Sequence, residues 1–253
     1  MQFKSFVKIV GVLATVCLLS PAFANQTISA VAARNATVMP SGPRTGANGT
    51  NFFNVEGSNN GNFSSYGVLD FVSAAFGINE TVASVQNLTL NLFNAPAGFS
   101  VAGSVNVYLA TDVTTSISNV GGASPLRFQG TGEGITNGGQ LGILYLLGSG
   151  AYVNNGSNAP LTYNLAFGNT AASNLFVNSL NNASVIRIVV TPVQNSVAAT
   201  YAGVTNSTVA SRPRIGFNTI AAAVTVPETN TFALAGLGIL PLALVVIRRR
   251  KVA

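Results

Sequence analysis

Hydrophobic and polar residues alternate in short runs through the middle of this chain. In Leu88-Thr89-Leu90-Asn91-Leu92 every second residue is apolar, and Val105-Asn106-Val107-Tyr108-Leu109 repeats the pattern. A period of two puts one set of side chains on one face of a half-buried strand. Further runs rich in β-branched and aromatic residues are YGVLDFV (66–72), VQNLTLNLFNA (85–95), SVNVYLATD (104–112), LTYNLAF (161–167) and SVIRIVVTP (184–192). Turn-forming clusters such as Asn59-Asn60-Gly61, Asn137-Gly138-Gly139 and Asn154-Asn155-Gly156 separate the runs. In ASNLFVNSLNN (172–182), Leu175, Phe176 and Leu180 have helical spacing, which predicts a short crossing helix. Many short strands with little helix predict an all-β domain over 51–222, a β-sandwich or jelly roll. Residues 25–50 are low in aromatics and rich in Gly, Pro and Thr, and read as a flexible arm or an edge strand.

The two ends have a different pattern. Lys4 and Lys8 precede an apolar run from Ile9 to Leu19, and Ala22-Phe23-Ala24 follows. This is the charged, apolar and small-residue order of a secretory signal peptide over 1–24, with Ala22 and Ala24 at the positions a signal peptidase accommodates. Pro21 breaks the run where cleavage needs extended backbone. At the other end, Thr231 to Ile247 carries no charge, and Arg248, Arg249, Arg250 and Lys251 follow directly. A helix of that length covers roughly 25 Å, slightly under a hydrocarbon core of about 30 Å. It can span with modest thinning or with its cations snorkelling. The basic cluster stays on the cytoplasmic side, so the expected topology places the middle of the chain outside.

Val226-Pro227-Glu228, the apolar run rich in Gly, Ala and Leu, and the arginine cluster together resemble the PEP-CTERM sorting segment of bacterial surface proteins, here over 226–253. The family's motif is Val-Pro-Glu-Pro, and Thr229 stands in its fourth place. The resemblance implies that Val226, Pro227 and Glu228 are recognised by an exosortase-type membrane enzyme that cuts near them. It also implies a setting in which exopolysaccharide is made. A sortase signal would need Leu-Pro-x-Thr-Gly, and a eukaryotic lipid-anchor tail would end apolar.

Charge changes the picture once the ends are set aside. The formal net charge is +6, but Lys4, Lys8 and the four C-terminal cations all lie in targeting segments. Between Asn25 and Val226 six arginines face Glu56, Asp70, Glu80, Asp112 and Glu133, which leaves the exported part near +1. No basic patch of the kind that grips phosphates remains, so nucleic acid is not an expected partner. The sole cysteine, Cys17, lies in the signal peptide, so the mature chain has neither disulfide nor thiol. Only 7% of residues are charged, and solubility rests on Asn, Ser, Thr and Gly.

Catalytic chemistry is scarce. The chain has no histidine, which excludes Ser–His–Asp and Cys–His arrangements and most zinc sites. A carboxylate pair for glycoside hydrolysis would have to come from the five acids above, none of which sits in a recognisable motif. Asp70, between Leu69 and Phe71, reads as an outward-facing polar position. Gly130-Thr131-Gly132-Glu133-Gly134 reads as a loop and not a phosphate cradle, since it lacks a lysine and a strand–helix setting. No catalytic residue, metal site or cofactor is expected. Sugar sites often stack rings on aromatics. Trp is absent, and several of the tyrosines 66, 108, 145, 152, 163 and 201 fall in strand patterns as core or cross-strand residues.

The middle has a resemblance of its own. YGVLDF, then Val82-Ala83-Ser84-Val85 with Leu88-Thr89-Leu90, a short helix, IRIVV, Ala199-Thr200-Tyr201-Ala202-Gly203 and Ser211-Arg212-Pro213-Arg214-Ile215 resemble DNRLRE-type β-sandwich domains of surface proteins. Asp70 stands in Val68-Leu69-Asp70-Phe71 where that family has Arg. The resemblance implies a fold related to carbohydrate-binding jelly rolls. The expectation is an exported bacterial protein, anchored in the inner membrane and then passed to the cell surface or extracellular matrix. Its expected role is structural or adhesive, beside exopolysaccharide. The alternative is a carbohydrate-binding module acting on cell-surface polysaccharide.

Overall fold

The computed structural model describes residues 25–44, 47–95, 98–117, 126–130 and 139–223. The stretch 1–24 expected to be a signal peptide, the expected sorting motif 226–228, the apolar run 231–247 and the basic cluster 248–251 lie outside these residues. Among the described residues no helix is long and apolar enough to cross a membrane. Those up to Ala222 form one unit by their own contacts.

The described chain is all-β, with every strand pairing antiparallel. One sheet has four strands in the order β1 (Thr27–Val31), β12 (Arg214–Ala221), β6 (Val82–Phe93) and β9 (Pro160–Asn164). A second has six, in the order β3 (Gly42–Pro43), β2 (Arg34–Met39), β5 (Tyr66–Val72), β10 (Val185–Pro192), β7 (Gly103–Ala110) and β8 (Leu144–Tyr152). A two-stranded ribbon joins β4 (Phe52–Glu56) to β11 (Ala198–Ala202). Residues 25–50, read as an arm or an edge strand, supply three strands, β1, β2 and β3. β1 does lie at a sheet edge, whereas β2 is paired on both sides, by β3 and β5.

The period-two runs bury as their pattern demands. Leu88, Leu90 and Leu92 of β6 and Val105, Val107 and Leu109 of β7 all enter one core. That core also takes Leu69 and Phe71 from β5, Ile188 and Val190 from β10, and Phe53 and Tyr201 from the ribbon. The two larger sheets therefore share one apolar interior. Asn87, with φ 54°, sits where the β6–β12 register slips, and Asn is among the residues that enter this region at least cost.

Strands β5 and β10 read instead as nearly continuous apolar runs, because both their faces are covered. Tyr66 and Val68 of β5, Val189 of β10 and Val38 of β2 form a second core with Ile117, Leu126 and Leu141. The segments between β7 and β8 lie over this face. Phe128 stacks on Tyr66 at 6.1 Å, and the Tyr66 hydroxyl donates to the Arg127 carbonyl. This overturns the outward reading of Asp70. Asp70 is 1% exposed and opposes Arg187 across the β5–β10 pair. The Arg187 guanidinium meets it in a two-pronged ion pair, Nε to Oδ1 at 2.8 Å and Nη2 to Oδ2 at 3.0 Å.

Helix α2 (Thr170–Asn181) is the crossing helix that the 172–182 spacing predicts. Asn169 caps it by accepting from the Ala172 N–H at 2.9 Å. Its buried residues are Ala172, Phe176 and Leu180, and Phe176 meets Phe217 edge-on at 5.4 Å. A shorter helix, α1 (Ala47–Asn51), precedes β4.

Candidate functional site

The site grows from the alternation in the ribbon. Phe53 and Val55 of β4, with Ala199 and Tyr201 of β11, point into the core. Their neighbours Phe52, Asn54 and Glu56 therefore share the opposite face with Ala198, Thr200 and Ala202. The register sets Glu56 across from Ala198, Asn54 across from Thr200, and Phe52 across from Ala202. An alanine opposite each of the two large side chains leaves room above the ribbon.

Two segments wall that room. On the β11 side the chain bridges from Asn94 to Tyr201 and from Val101 to Ala198, which brings up Ala95 and Phe99. On the β4 side Glu56 and Ser65 exchange backbone hydrogen bonds of 3.0 and 2.8 Å, and the 3-10 segment Ser58–Phe63 delivers Asn60 and Phe63. Both Asn60 amide N–H groups donate to backbone carbonyls, of Gly57 and Val197, at 3.0 Å. Gly57 allows the close docking of this wall. A Cβ there would lie 2.4 Å from the Asn195 carbonyl oxygen. The result is a cavity of about 520 Å³.

Its chemistry is layered. Phe63 and Phe99 stand at the rim, 62% and 55% exposed. Phe52 lies lower, with the Arg44 guanidinium 5.7 Å from its ring centroid. At the floor are Glu56 and Thr200, 3% and 2% exposed. The Glu56 carboxylate accepts a short hydrogen bond from Asn54 Nδ2. Burial pushes the Glu56 carboxyl above its ordinary range, and the Asn54 bond and Arg44 charge oppose that only in part. Thr200 Oγ1 and Asn54 Oδ1 are buried without a hydrogen-bond partner in the protein. Such atoms are uncommon, and of these two residues Thr200 lines the cavity.

Of the acids considered from the sequence, Glu56 lines the cleft. Ala22, Ala24, Val226, Pro227, Glu228 and the Arg248–Lys251 cluster are outside the described residues, as is Glu133. The tyrosines are mostly interior. Tyr163 and Tyr201 share a hydroxyl–hydroxyl bond of 2.8 Å, Tyr152 packs edge-on against Tyr201, and burial pushes the Tyr163 hydroxyl up to about 12. The cleft uses phenylalanines instead. Phe63 and Phe99 stand alone in NGNFSS and PAGFSV. An aromatic among turn residues, with no alternating partner, was the available signal. Asp112 accepts from the Thr114 N–H and hydroxyl, which hold its carboxyl below the usual range.

A smaller cavity of about 300 Å³ lies beside the end of α2, lined by Ser73, Glu80 and Asn181 among others. Among the described residues no group of three His, Cys, Asp or Glu side chains is placed to hold a metal. No protein-family model matches the chain, and no curated protein matches it.

Proposed function

We propose that this chain is an exported bacterial surface or matrix protein with a structural or adhesive role beside exopolysaccharide. It enters through a signal peptide cut after Ala24, and its C-terminal segment holds it in the inner membrane until an exosortase-type enzyme acts near Val226-Pro227-Glu228. Its facing sheets make a β-sandwich of the jelly-roll kind. One observation carries this reading: a Pro-Glu motif, an uncharged run of membrane-spanning length and a basic cluster follow one another in that order. The near-neutral, Asn- and Ser-rich surface of the exported part suits an extracellular matrix. The test is the intact mass of the protein recovered from its native host. A form that starts at Asn25 and ends near residue 228 is expected. A full-length, membrane-held form would reduce the tail to an ordinary anchor.

The cleft on the β4–β11 ribbon favours a second reading, a carbohydrate-binding module. Exposed rings above a buried polar floor match the two-sided chemistry of a sugar. Binding suits the site better than hydrolysis, because Glu56 is the one carboxylate among the described lining residues and glycoside hydrolysis takes two.

A further inference from the structure

The cleft has a more specific occupant than sugar in general. We propose that it binds a neutral pyranose ring, stacked on Phe99 or Phe63 and hydrogen-bonded through its hydroxyls to Glu56 and Thr200. This rests on the carbohydrate-binding reading. Three features select the ligand. The first is size: about 520 Å³ lies in the range of small-molecule sites and admits one or two sugar rings. The second is charge: among the described lining residues there is one cation, Arg44, and one acid, Glu56, so no cluster of like charges faces an ionic ligand. The third is polarity. A hydrocarbon would fit the rings but leave the Thr200 hydroxyl unpaired and would desolvate Glu56 further. A sugar hydroxyl both donates and accepts, so it can pair with the Thr200 hydroxyl and donate to the Glu56 carboxylate. The C–H face of the same ring covers a phenylalanine.

The Arg44 guanidinium, above Phe52, adds donors at the wall. Asn54 positions Glu56 through its amide bond. The arrangement places hydroxyl recognition at the bottom and stacking at the mouth. It therefore suits the end of a glycan, or a ring presented from the side of one, entering between Phe63 and Phe99.

The test is calorimetric titration of the detergent-solubilised full-length chain. The titrants are neutral tetramers (maltotetraose, cellotetraose, chitotetraose), anionic tetragalacturonate and the cationic glucosamine tetramer. At least one neutral tetramer is expected to bind more tightly than both charged ones. Phe99→Ala, at an exposed position, is expected to weaken that binding about tenfold. Thr200→Val is expected to weaken it about fivefold while leaving the melting temperature unchanged or higher, since no protein partner is lost. A purely structural threonine would not show that split. If a neutral tetramer binds and neither variant changes its affinity, the sugar site is elsewhere: this assignment fails and the carbohydrate-binding reading stands. Tighter binding of a charged tetramer also overturns it. If no tetramer binds, both fall together.

Discussion

Asp70 and Glu56 are both acids buried in β-strands, and they are held in opposite ways. Asp70 has a full partner: Arg187 faces it across the register and adds a bond of 3.3 Å from Nη1 to the Asp112 carbonyl. Removing one member of a buried pair strands the other's charge. Asp70→Asn is expected to lower unfolding free energy by about 3–5 kcal/mol in urea denaturation, and Asp70→Leu with Arg187→Met by less, because both charges leave together. Glu56 lacks such a partner, and burial favours its protonated form. A raised native pKa contributes stability that is complete below the unfolded glutamate value of about 4.3 and is lost as pH rises through the native value. Glu56→Gln should therefore match the parent's melting temperature near pH 4 and exceed it by about pH 7. Thermal melts across that range check the sign. Asp70 shows why a single residue's pattern misleads. Leu69-Asp70-Phe71 alternates correctly, but the face opposite Leu69 is covered by a chain segment more than 40 residues away in sequence.

At the scale of elements, capping and close approach decide local order. Asn169 is the N-cap of α2, and Asn169→Ala is expected to cost about 1 kcal/mol, read from the same denaturation experiment. Asn181, the helix's last residue, exchanges hydrogen bonds of 2.8 and 3.0 Å with the backbone of Val82 and ties α2 to the start of β6. The wall Ser58–Phe63 depends on Gly57, whose backbone N–H donates to the Val197 carbonyl at 2.8 Å. A side chain there meets backbone at 2.4 Å, so the wall must shift. Gly57→Ala is expected to weaken cleft binding of a neutral tetramer more than it lowers stability, which calorimetry and melting measured together would show. Gly67 works similarly in β5: a Cβ there would lie 2.6 Å from the Phe53 ring. That glycine lets β4 pack close over the six-stranded sheet.

At the scale of the whole molecule, the six-stranded sheet has an apolar layer on each face. The inner one is shared with the four-stranded sheet and the ribbon, and the outer one is closed by Ile117, Leu126 and Leu141. A core on each side explains how a chain with a single cysteine and little charge holds together, since burial grows with domain size. The export reading is tested at this scale too. A reporter fused after Ala253 is expected to stay inside the cell, while protease added to cells with a permeabilised outer layer cuts the β-domain. External reporter signal would reverse the proposed topology.

Much of this protein was legible in its residues. Period-two runs marked β6 and β7, helical spacing marked α2, and Gly–Asn clusters marked the turn between β8 and β9, because these depend on neighbours close in sequence. The export, anchor and sorting proposals also rest on local order at the two ends. The β8 run, LYLLGSGAY, was harder to read, since its glycines at 148 and 150 interrupt the pattern to let Leu165 and Tyr163 approach. The cleft could not be read at all. It exists because β4 and β11, more than 140 residues apart, pair in a register that gathers Glu56 and Thr200 on one face. Two distant loops then raise Phe63 and Phe99 above them. Alternation says which residues share a strand face; only the tertiary pairing decides what that face meets.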